Sequence, residues 1–284
     1  MPSQTKTMNQ KTNVTVLREK ADWLRVETLK LHQRAPGTRL ASALSCIEIL
    51  AVLYYADILQ QDPNNARSPQ RDRVIPSKGH GLMCLYPILA DLGYFPPEEL
   101  DKIGDDGAML TIIPEPSIPG IETINGSLGH GLGVACGMAL ALKHKRSDRM
   151  IYCICGDGEL NEGAVWEAVM FAGHHKLDNL ILIVDDNKVS MLGAQEAILN
   201  LQPLEDKFTA FNWESQTING HDVSQVFQCL SHFKSTSGLA PKVMIAETQK
   251  GRGVPWLVED PLCHVKSLKP AEVDDIIRRP HGTQ

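Results

Sequence analysis

The chain has 284 residues, of which 43% are hydrophobic and 22% charged, as is usual for a globular α/β protein that buries a large core. Its net charge of −6 and the absence of a basic cluster argue against nucleic acid as a partner. The polar amino terminus lacks a signal-peptide core and no apolar run approaches membrane-spanning length, so we expect a cytoplasmic protein with no membrane contact.

The seven cysteines form no Cys-x-x-Cys pair. Cys46, Cys84, Cys136 and Cys153 all lie in apolar runs, so we interpret the cysteines as small buried side chains. This usage indicates a reducing compartment rather than a disulfide framework.

The amino-terminal part of the chain is predicted to be helical after a disordered lead-in over 1–13. Apolar residues at helical spacing predict helices over 16–32 and 47–58. Ser45 and Glu48 fit a capping box at the start of the second helix.

A histidine motif follows a short predicted strand at 74–75. Ser77-Lys78-Gly79-His80 opens a helix that we predict over 81–92. At such a position a histidine is most often a cap or a surface residue, and these residues alone leave that alternative open for His80. Lys78 is interpreted as structural.

The stretch 101–122 is predicted to be a loop, because it contains several prolines and no hydrophobic periodicity. A loop of this length inside a domain is usually functional or mobile. It leads into 124–133, whose four glycines allow close approach of the backbone to a ligand or to a neighbouring helix. Both interpretations stay open.

The central stretch has the order strand, glycine-rich turn, helix, strand. Apolar runs predict strands at 150–155 and 180–184, with a helix over 161–176 between them. Gly156-Asp157-Gly158 follows the first strand and Asp185-Asp186-Asn187 follows the second. This unit builds parallel sheets and binds ligands at the carboxyl ends of its strands.

Asp157 and Asn187 are expected to meet at this edge of the sheet. Carboxylate and amide oxygens suit Mg²⁺ or Ca²⁺ rather than zinc. The backbone N–H groups of Gly156 and Gly158 would stabilise an anion at the head of the helix. The arrangement predicts a diphosphate bridged by a divalent cation, although Gly-Asp-Gly alone is also a common tight turn.

The carboxy-terminal part continues the alternation. Strands are predicted at 213–218 and 243–247 with a helix over 223–232 between them. Asp222 is predicted to cap this helix, and His221 beside it is interpreted as structural.

A closing helix over 270–279 ends a single domain that we expect to span 14–284. Alternating strands and helices predict a doubly wound α/β fold, with a mostly parallel sheet and helices on both faces.

The Gly-Asp-Gly unit with Asn187 resembles the thiamine diphosphate motif. Three further stretches narrow the resemblance to the transketolase family: 77–80, the Gly-Ser-Leu-Gly-His-Gly of 126–131, and the Lys-Gly-Arg-Gly-Val of 250–254 with Cys263-His264 beyond it. The resemblance covers about residues 17–271. It implies a thiamine diphosphate-binding fold of the diphosphate-binding (PP) type, with Mg²⁺, Ca²⁺ or Mn²⁺ as the metal.

The resemblance also implies roles for individual residues. Asp157, Asn187 and the Val189 carbonyl would bind the metal, and His80, Glu162 and His264 would be catalytic. Residues expected to bind the cofactor are His80, Gly126, Ser127, Leu128, Gly156, Asp157, Gly158, Glu159, Asn187, Val189, Met191 and His264. For Met191 the alternative is a core filler, and for Glu162 it is a charge that complements the helix dipole.

The reaction that the resemblance implies is transfer of a two-carbon ketol unit from a ketose, such as a sugar phosphate, to an aldose. In this family a glutamate from a second domain activates the cofactor, and single-chain members continue into two more domains. We therefore expect a separate carboxy-terminal transketolase subunit, with a pyrimidine-binding and a carboxy-terminal domain, in an α₂β₂ assembly. Glu162 would connect to the partner's glutamate.

Two positions depart from the family pattern. Arg39 and Ile113 stand where many sugar-phosphate transketolases have histidines that line the donor sugar. Without these histidines, xylulose 5-phosphate is expected to be a poor donor or the acceptor to be unusual. Arginine suits a carboxylate, sulfonate or phosphate better than a neutral hydroxyl. Two alternatives remain: ketol transfer to a lipoyl or carrier-protein thiol, and a non-catalytic regulatory subunit.

Overall fold

The computed structural model describes residues 13–124, 126–236 and 238–278, and within them five parallel strands form one sheet. The spatial order is β1-β2-β3-β5-β4. The strands are β1 Arg73–Ile75, β2 Ile151–Gly156, β3 Leu180–Asp186, β4 Glu214–Asn219 and β5 Lys242–Glu247. Each predicted strand is present with bounds shifted by one or two residues, which confirms the parallel α/β prediction.

Helices cover both faces of this sheet. The α-helices are α1 Val14–Arg34, α2 Leu40–Leu44, α3 Ile47–Tyr55, α4 Leu85–Asp91, α5 Gly131–His144, α6 Gly163–His174, α7 Gln195–Ile198, α8 Leu204–Ala210, α9 Val223–Ser235, α10 Pro255–Val258 and α11 Pro270–Arg278. Short 3₁₀ segments lie at Pro63–Asn65, Gly79–Gly81, Pro97–Lys102, Gly158–Asn161 and Cys263–Val265.

The two faces of the sheet bury separate cores, because side chains alternate along a strand. Tyr152 and Ile183 point into one core with residues of α1, α3, α4 and α9. Cys153 and Leu182 point into the other, with residues of α5, α6 and α8. β2 and β3 are buried along almost their whole length, as expected for central strands of a parallel sheet.

The predicted capping box at α3 is wrong. α3 begins after Cys46 with no side-chain cap, and the Ser45 hydroxyl instead donates to Asp185 Oδ2 at 2.6 Å. Glu48 accepts a hydrogen bond from Arg25 and pairs with His221 Nδ1 at 2.9 Å. The capping box does not form because both side chains hydrogen-bond to residues that are distant in sequence instead of to the backbone at the start of α3.

Several predicted bounds also change. The predicted helix over 81–92 is a 3₁₀ turn at Gly79–Gly81 followed by α4, and the loop of 101–122 begins inside the 3₁₀ segment Pro97–Lys102. Asn13 is ordered, because its side chain caps α1 by accepting from Thr15 N at 2.9 Å. The rest of the predicted lead-in (1–12) and residues 279–284 lie outside the described residues.

Other predictions are confirmed. Asp222 caps α9 by accepting from Ser224 N at 2.8 Å, and His221 joins α3 to the loop after β5, where its Nε2 accepts from Gln249 N at 2.8 Å. All seven cysteines are free and buried. No helix in the described part of the chain is long and apolar enough to span a membrane.

Candidate functional site

A cavity of about 410 Å³ opens at the carboxyl ends of β1, β2, β3 and β5. Two predicted site residues, Ser127 and Glu162, do not line it, and both are exposed. The other predicted site residues all line it: His80, Gly126, Leu128, Gly156, Asp157, Gly158, Glu159, Asn187, Val189, Met191 and His264.

Asp157 follows β2 and lines the cavity, and one of its two carboxylate oxygens has no hydrogen-bond partner among the described residues. Its Oδ1 accepts from Gly158 N at 2.8 Å, whereas Oδ2 is buried without a hydrogen-bond partner among the described residues. Burial, together with the charges of Asp185 and Asp186, raises the pKa of Asp157 to about 7. A cation beside Oδ2 would remove this penalty, so the site fits a divalent metal ion.

Asn187 lies directly beyond β3, the strand that pairs with β2. Its Nδ2 donates to Asp185 Oδ2 at 3.1 Å, and its Oδ1 accepts from Val189 N at 3.2 Å. These bonds fix the orientation of the amide, so the Oδ1 lone pairs have a defined direction.

Asp185 is the centre of the network beneath Asn187. It forms an ion pair with Lys78 and accepts hydrogen bonds from the hydroxyls of Ser45 and Thr248. Burial opposes ionisation, but Lys78 and the hydroxyl donors lower the pKa of Asp185 to about 2. Lys78 therefore acts as a structural counter-charge, as predicted.

Lys250 is a site residue to which the sequence analysis assigned no role, although its motif was recognised. It is 5% exposed, and its Nζ donates to the carbonyls of Val189 at 2.7 Å and Ser190 at 3.3 Å. Burial lowers its pKa, while Asp157 lies close enough to oppose that shift. Lys250 thus anchors the loop after β3.

Glu159 positions the glycine-rich loop before α5. Its carboxylate accepts from Ser77 Oγ, from Gly129 N at 2.8 Å and from Gly156 N at 3.4 Å, and burial raises its pKa. Because protein donors already engage both oxygens, the structure gives Glu159 a scaffolding contact. Its cofactor role stays a prediction.

Two histidines also line the cavity. Ser42 Oγ lies 3.4 Å from His264 Nδ1. Burial lowers the pKa of His264 to about 4, helped by the charges of Lys250 and Arg39. Burial and Arg39 also lower the pKa of His80, so both imidazoles are neutral near pH 7.

The two departures from the family pattern lie beside His80. A Cβ placed on Gly126 would be 3.5 Å from His80 and 3.6 Å from Ile113, so these three residues meet at one point of the wall. Arg39 lines the same cavity and its charge acts on His80.

Glu162 precedes α6 and makes no side-chain cap bond there. Its Cβ and Cγ pack against the position where Gly129 lacks a side chain. Leu128 and Met191 are 40% and 55% exposed, so neither is a core filler.

The described residues contain no group of three or more His, Cys, Asp or Glu side chains that could hold a metal. The predicted ligand set is of another kind: one carboxylate, one amide and one backbone carbonyl. The buried, unpartnered Asp157 Oδ2 supports this set.

Comparison with known proteins agrees with this geometry. Residues 17–284 match the family "Transketolase, thiamine diphosphate binding domain". The chain is 40% identical to the 6-deoxy-6-sulfo-D-fructose transketolase subunit SqwG of Clostridium sp. (strain MSTE9), over 84% of this chain and 86% of that protein. It is 39% identical to an apulose-4-phosphate transketolase subunit of Actinobacillus succinogenes, over 91% and 93%.

The transketolase structure from Campylobacter jejuni is 33% identical, with a TM-score of 0.87. The match covers 93% of this chain and 42% of that one. Sequence and fold thus agree on one conclusion: the chain belongs to the transketolase family and corresponds to its thiamine diphosphate binding domain.

Proposed function

We propose that this chain is the diphosphate-binding subunit of a two-chain transketolase, which transfers a two-carbon ketol unit from a ketose to an aldose. The observation that carries the proposal is a cavity at the carboxyl edge of the sheet that Asp157, Asn187 and Val189 all line, and in which the Asp157 Oδ2 is buried without a hydrogen-bond partner among the described residues. Bound thiamine diphosphate would supply the carbanion chemistry that no amino acid side chain provides.

The residues of this chain bind and orient the cofactor. Asp157, Asn187 and the Val189 carbonyl would hold Mg²⁺ as hard oxygen ligands. The backbone at Gly158 would lie against the diphosphate, and the ammonium of Lys250, which lines the same cavity and also holds the Val189 carbonyl, would offset part of its charge. Because Asp185 is already neutralised by Lys78, Asp157 is the uncompensated negative charge that the metal would meet.

His80 and His264 would act as neutral groups. A neutral imidazole has one donor and one acceptor nitrogen, so each ring can hydrogen-bond a diphosphate oxygen or a sugar hydroxyl and can accept a proton. The third predicted catalytic residue, Glu162, is exposed and therefore accessible to a second chain.

Exposed apolar surface around the cavity supports the presence of a partner. Leu192 is 74% exposed and Ile198 47% exposed at the mouth, next to Leu128 and Met191. Surface of this kind usually marks an interface. The partner would be a separate carboxy-terminal subunit with the pyrimidine-binding domain, in an α₂β₂ assembly.

The substrate would be a ketose that carries an anionic group. The Clostridium and Actinobacillus relatives are named for a sulfo-sugar and a sugar phosphate. Arg39 at the cavity wall would pair with that anionic group. Because Arg39 and Ile113 replace two histidines that line the donor sugar in the family, we propose that xylulose 5-phosphate is a poor donor or that the acceptor is unusual. Buried free cysteines fit a reducing compartment, and we propose a cytoplasmic location.

The assembly itself tests the proposal. The purified chain alone should show no ketol transfer, and activity should appear when the subunit that carries the pyrimidine-binding domain is added with thiamine diphosphate and Mg²⁺. Turnover by the rigorously purified single chain would contradict the two-chain proposal. Failure of the assembly to bind thiamine diphosphate in calorimetry would contradict the cofactor assignment, and a thioester product would indicate a carrier-protein acceptor.

A further inference from the structure

Among the described residues, three side chains with a permanent positive charge line the cavity: Arg39, Lys78 and Lys250. Two of them have partners. The Lys78 ammonium forms a buried ion pair with Asp185, and the Lys250 ammonium donates to two backbone carbonyls.

Arg39 differs from both lysines. Within the described part of the chain its guanidinium makes no hydrogen bond and no ion pair, although it is half-buried in the cavity. A guanidinium has five N–H donors and loses hydration when it is partly enclosed. A cavity that holds such a group without a counter-ion is suited to an anionic ligand.

The backbone of Arg39 is fixed. The residue precedes α2, and its carbonyl accepts from Ala43 N at 3.2 Å. The neighbouring Thr38 hydroxyl donates to the Ala35 carbonyl at 2.8 Å and lies 2.8 Å from His32 Nδ1. The backbone from which the guanidinium extends is therefore held in place, and binding a ligand would have to order only the side chain.

Arg39 and the predicted metal ligands are surrounded by different charges of the same cavity. The charges that act on the Asp157 carboxyl are mainly those of Asp185, Asp186 and Lys250. The charge of Arg39 acts on His80 and, together with that of Lys250, on His264.

We infer that Arg39 forms a second anion subsite, which binds a sulfonate or phosphate group of the sugar substrate. The inference rests on the proposed function for the identity of the substrate, but not for the existence of the subsite. Both groups present two oxygens at the spacing of the guanidinium fork, so either can accept two parallel hydrogen bonds. The neighbouring Ile113 and the neutral His80 add no charge, so Arg39 supplies the discrimination between charged and neutral ligands.

Small probes test the subsite on the full chain. The methyl proton signals of methanesulfonate and methyl phosphate, followed by NMR during titration, should show saturable binding to the wild type. Dimethyl sulfone, a neutral analogue of similar shape, should not bind. Arg39→Gln should weaken binding of the anions by at least about tenfold, and Arg39→Lys by less because the charge is kept. The matched control is Arg67→Gln, an equal charge change at an exposed position away from the cavity, which should bind like the wild type.

A second titration, with thiamine diphosphate and Mg²⁺, separates the subsite from the cofactor site. Arg39→Gln should retain the wild-type cofactor affinity of the assembly. Equal anion binding by wild type and Arg39→Gln would overturn the inference, as would a parallel loss of cofactor affinity. Binding of the probes through Arg39 without any cofactor binding would instead overturn the proposed function and leave the subsite intact.

Discussion

Three carboxyl groups lie close together at the ends of the central strands, and their surroundings differ. Asp185 is neutralised by Lys78, and Asp186 by Lys188, while Gln202 donates a hydrogen bond to Asp186. Asp157 forms no ion pair among the described residues, and burial together with the charges of Asp185 and Asp186 raises its pKa to about 7. Asp157 is thus the one carboxylate of the three whose negative charge is not balanced by a neighbouring side chain, and a bound divalent cation would balance it.

This unbalanced charge gives a prediction for Asp157→Ala. The substitution should weaken binding of Mg²⁺ and thiamine diphosphate by at least about 100-fold, because it removes the one charged ligand of the predicted set. Stability should change little, because the loss of the hydrogen bond from Gly158 N is offset by the removal of a buried oxygen, Oδ2, that has no partner among the described residues. Calorimetry and thermal melting measure the two effects. Asp148→Ala, at an exposed carboxylate that pairs with Arg149, is the control, and undiminished cofactor affinity in Asp157→Ala would remove the metal assignment.

Sequence motifs were sufficient for residues whose roles are local. Gly-Asp-Gly and the Asn187 turn each follow a predicted strand. Because these two strands are neighbours in the parallel sheet, the sequence was enough to predict that the two turns lie at the same edge. The free charge of Arg39 and the pairing of Lys78 with Asp185 could not be predicted. Whether a charged side chain has a partner depends on tertiary contacts. Lys78 and Asp185, for example, are 107 residues apart in the sequence, and no local sequence pattern predicts such a contact.

The same limit appears among the secondary-structure elements. Long apolar runs predicted β2, β3 and β5 to within two residues, because a strand buried on both faces must be apolar throughout. The one-turn helices α7 and α10 were missed, since four residues show no periodicity.

A buried histidine joins the end of α1 to the segment before α11. His32 is fully buried, its Nε2 accepts from Leu268 N at 3.0 Å, and its Nδ1 lies 2.8 Å from Thr38 Oγ1. This pattern requires the neutral ring, because protonated Nε2 could not accept the Leu268 hydrogen bond. Burial accordingly lowers the pKa of His32 to about 4.

The contribution of His32 to the stability of the folded chain should decrease as the pH is lowered. The pKa of His32 is lower in the folded chain than in the unfolded chain, so the unfolded state binds more protons between the two values. The stabilising contribution is complete above about pH 6.5 and falls as pH decreases toward 4, by about 3 kcal/mol in total. Urea unfolding of the wild type between about pH 7 and about pH 5 should show this slope. His32→Gln should show a smaller slope, to which His264 still contributes because its pKa is also lowered to about 4. The exposed His174→Gln should keep the wild-type slope, and equal slopes in wild type and His32→Gln would contradict the assignment.

In the whole molecule, the sheet and its two helix layers leave one face of small residues exposed. α5 buries Leu132, Ala135, Cys136 and Ala139 and turns Gly133 and Gly137 outward, beside a groove of about 480 Å³ between α5 and α6. Bare backbone at this place permits close approach of another chain, which agrees with the proposed partner subunit.

Substitutions at Gly137 test that surface. A Cβ there would have nothing within 4 Å, so Gly137→Ala should stabilise the isolated chain by roughly 0.5–1 kcal/mol through helix propensity. Gly137→Leu should fold equally well but bind the partner at least about tenfold more weakly, because the larger side chain separates the two surfaces. Denaturant unfolding and sedimentation measure the two effects. Ala271→Leu, exposed on α11, is the control, and unchanged partner affinity in Gly137→Leu would exclude this face as the interface.

The buried cysteines have a practical consequence. Burial raises the pKa of Cys84, Cys136 and Cys229 to about 12, so little thiolate exists in the folded state and alkylation requires the structure to open. The seven thiols are divided between the two cores: Cys46, Cys84, Cys229 and Cys263 in one, and Cys136, Cys153 and Cys155 in the other. The order in which an alkylating reagent modifies these thiols would therefore show which helix layer separates from the sheet first during unfolding, without any introduced label.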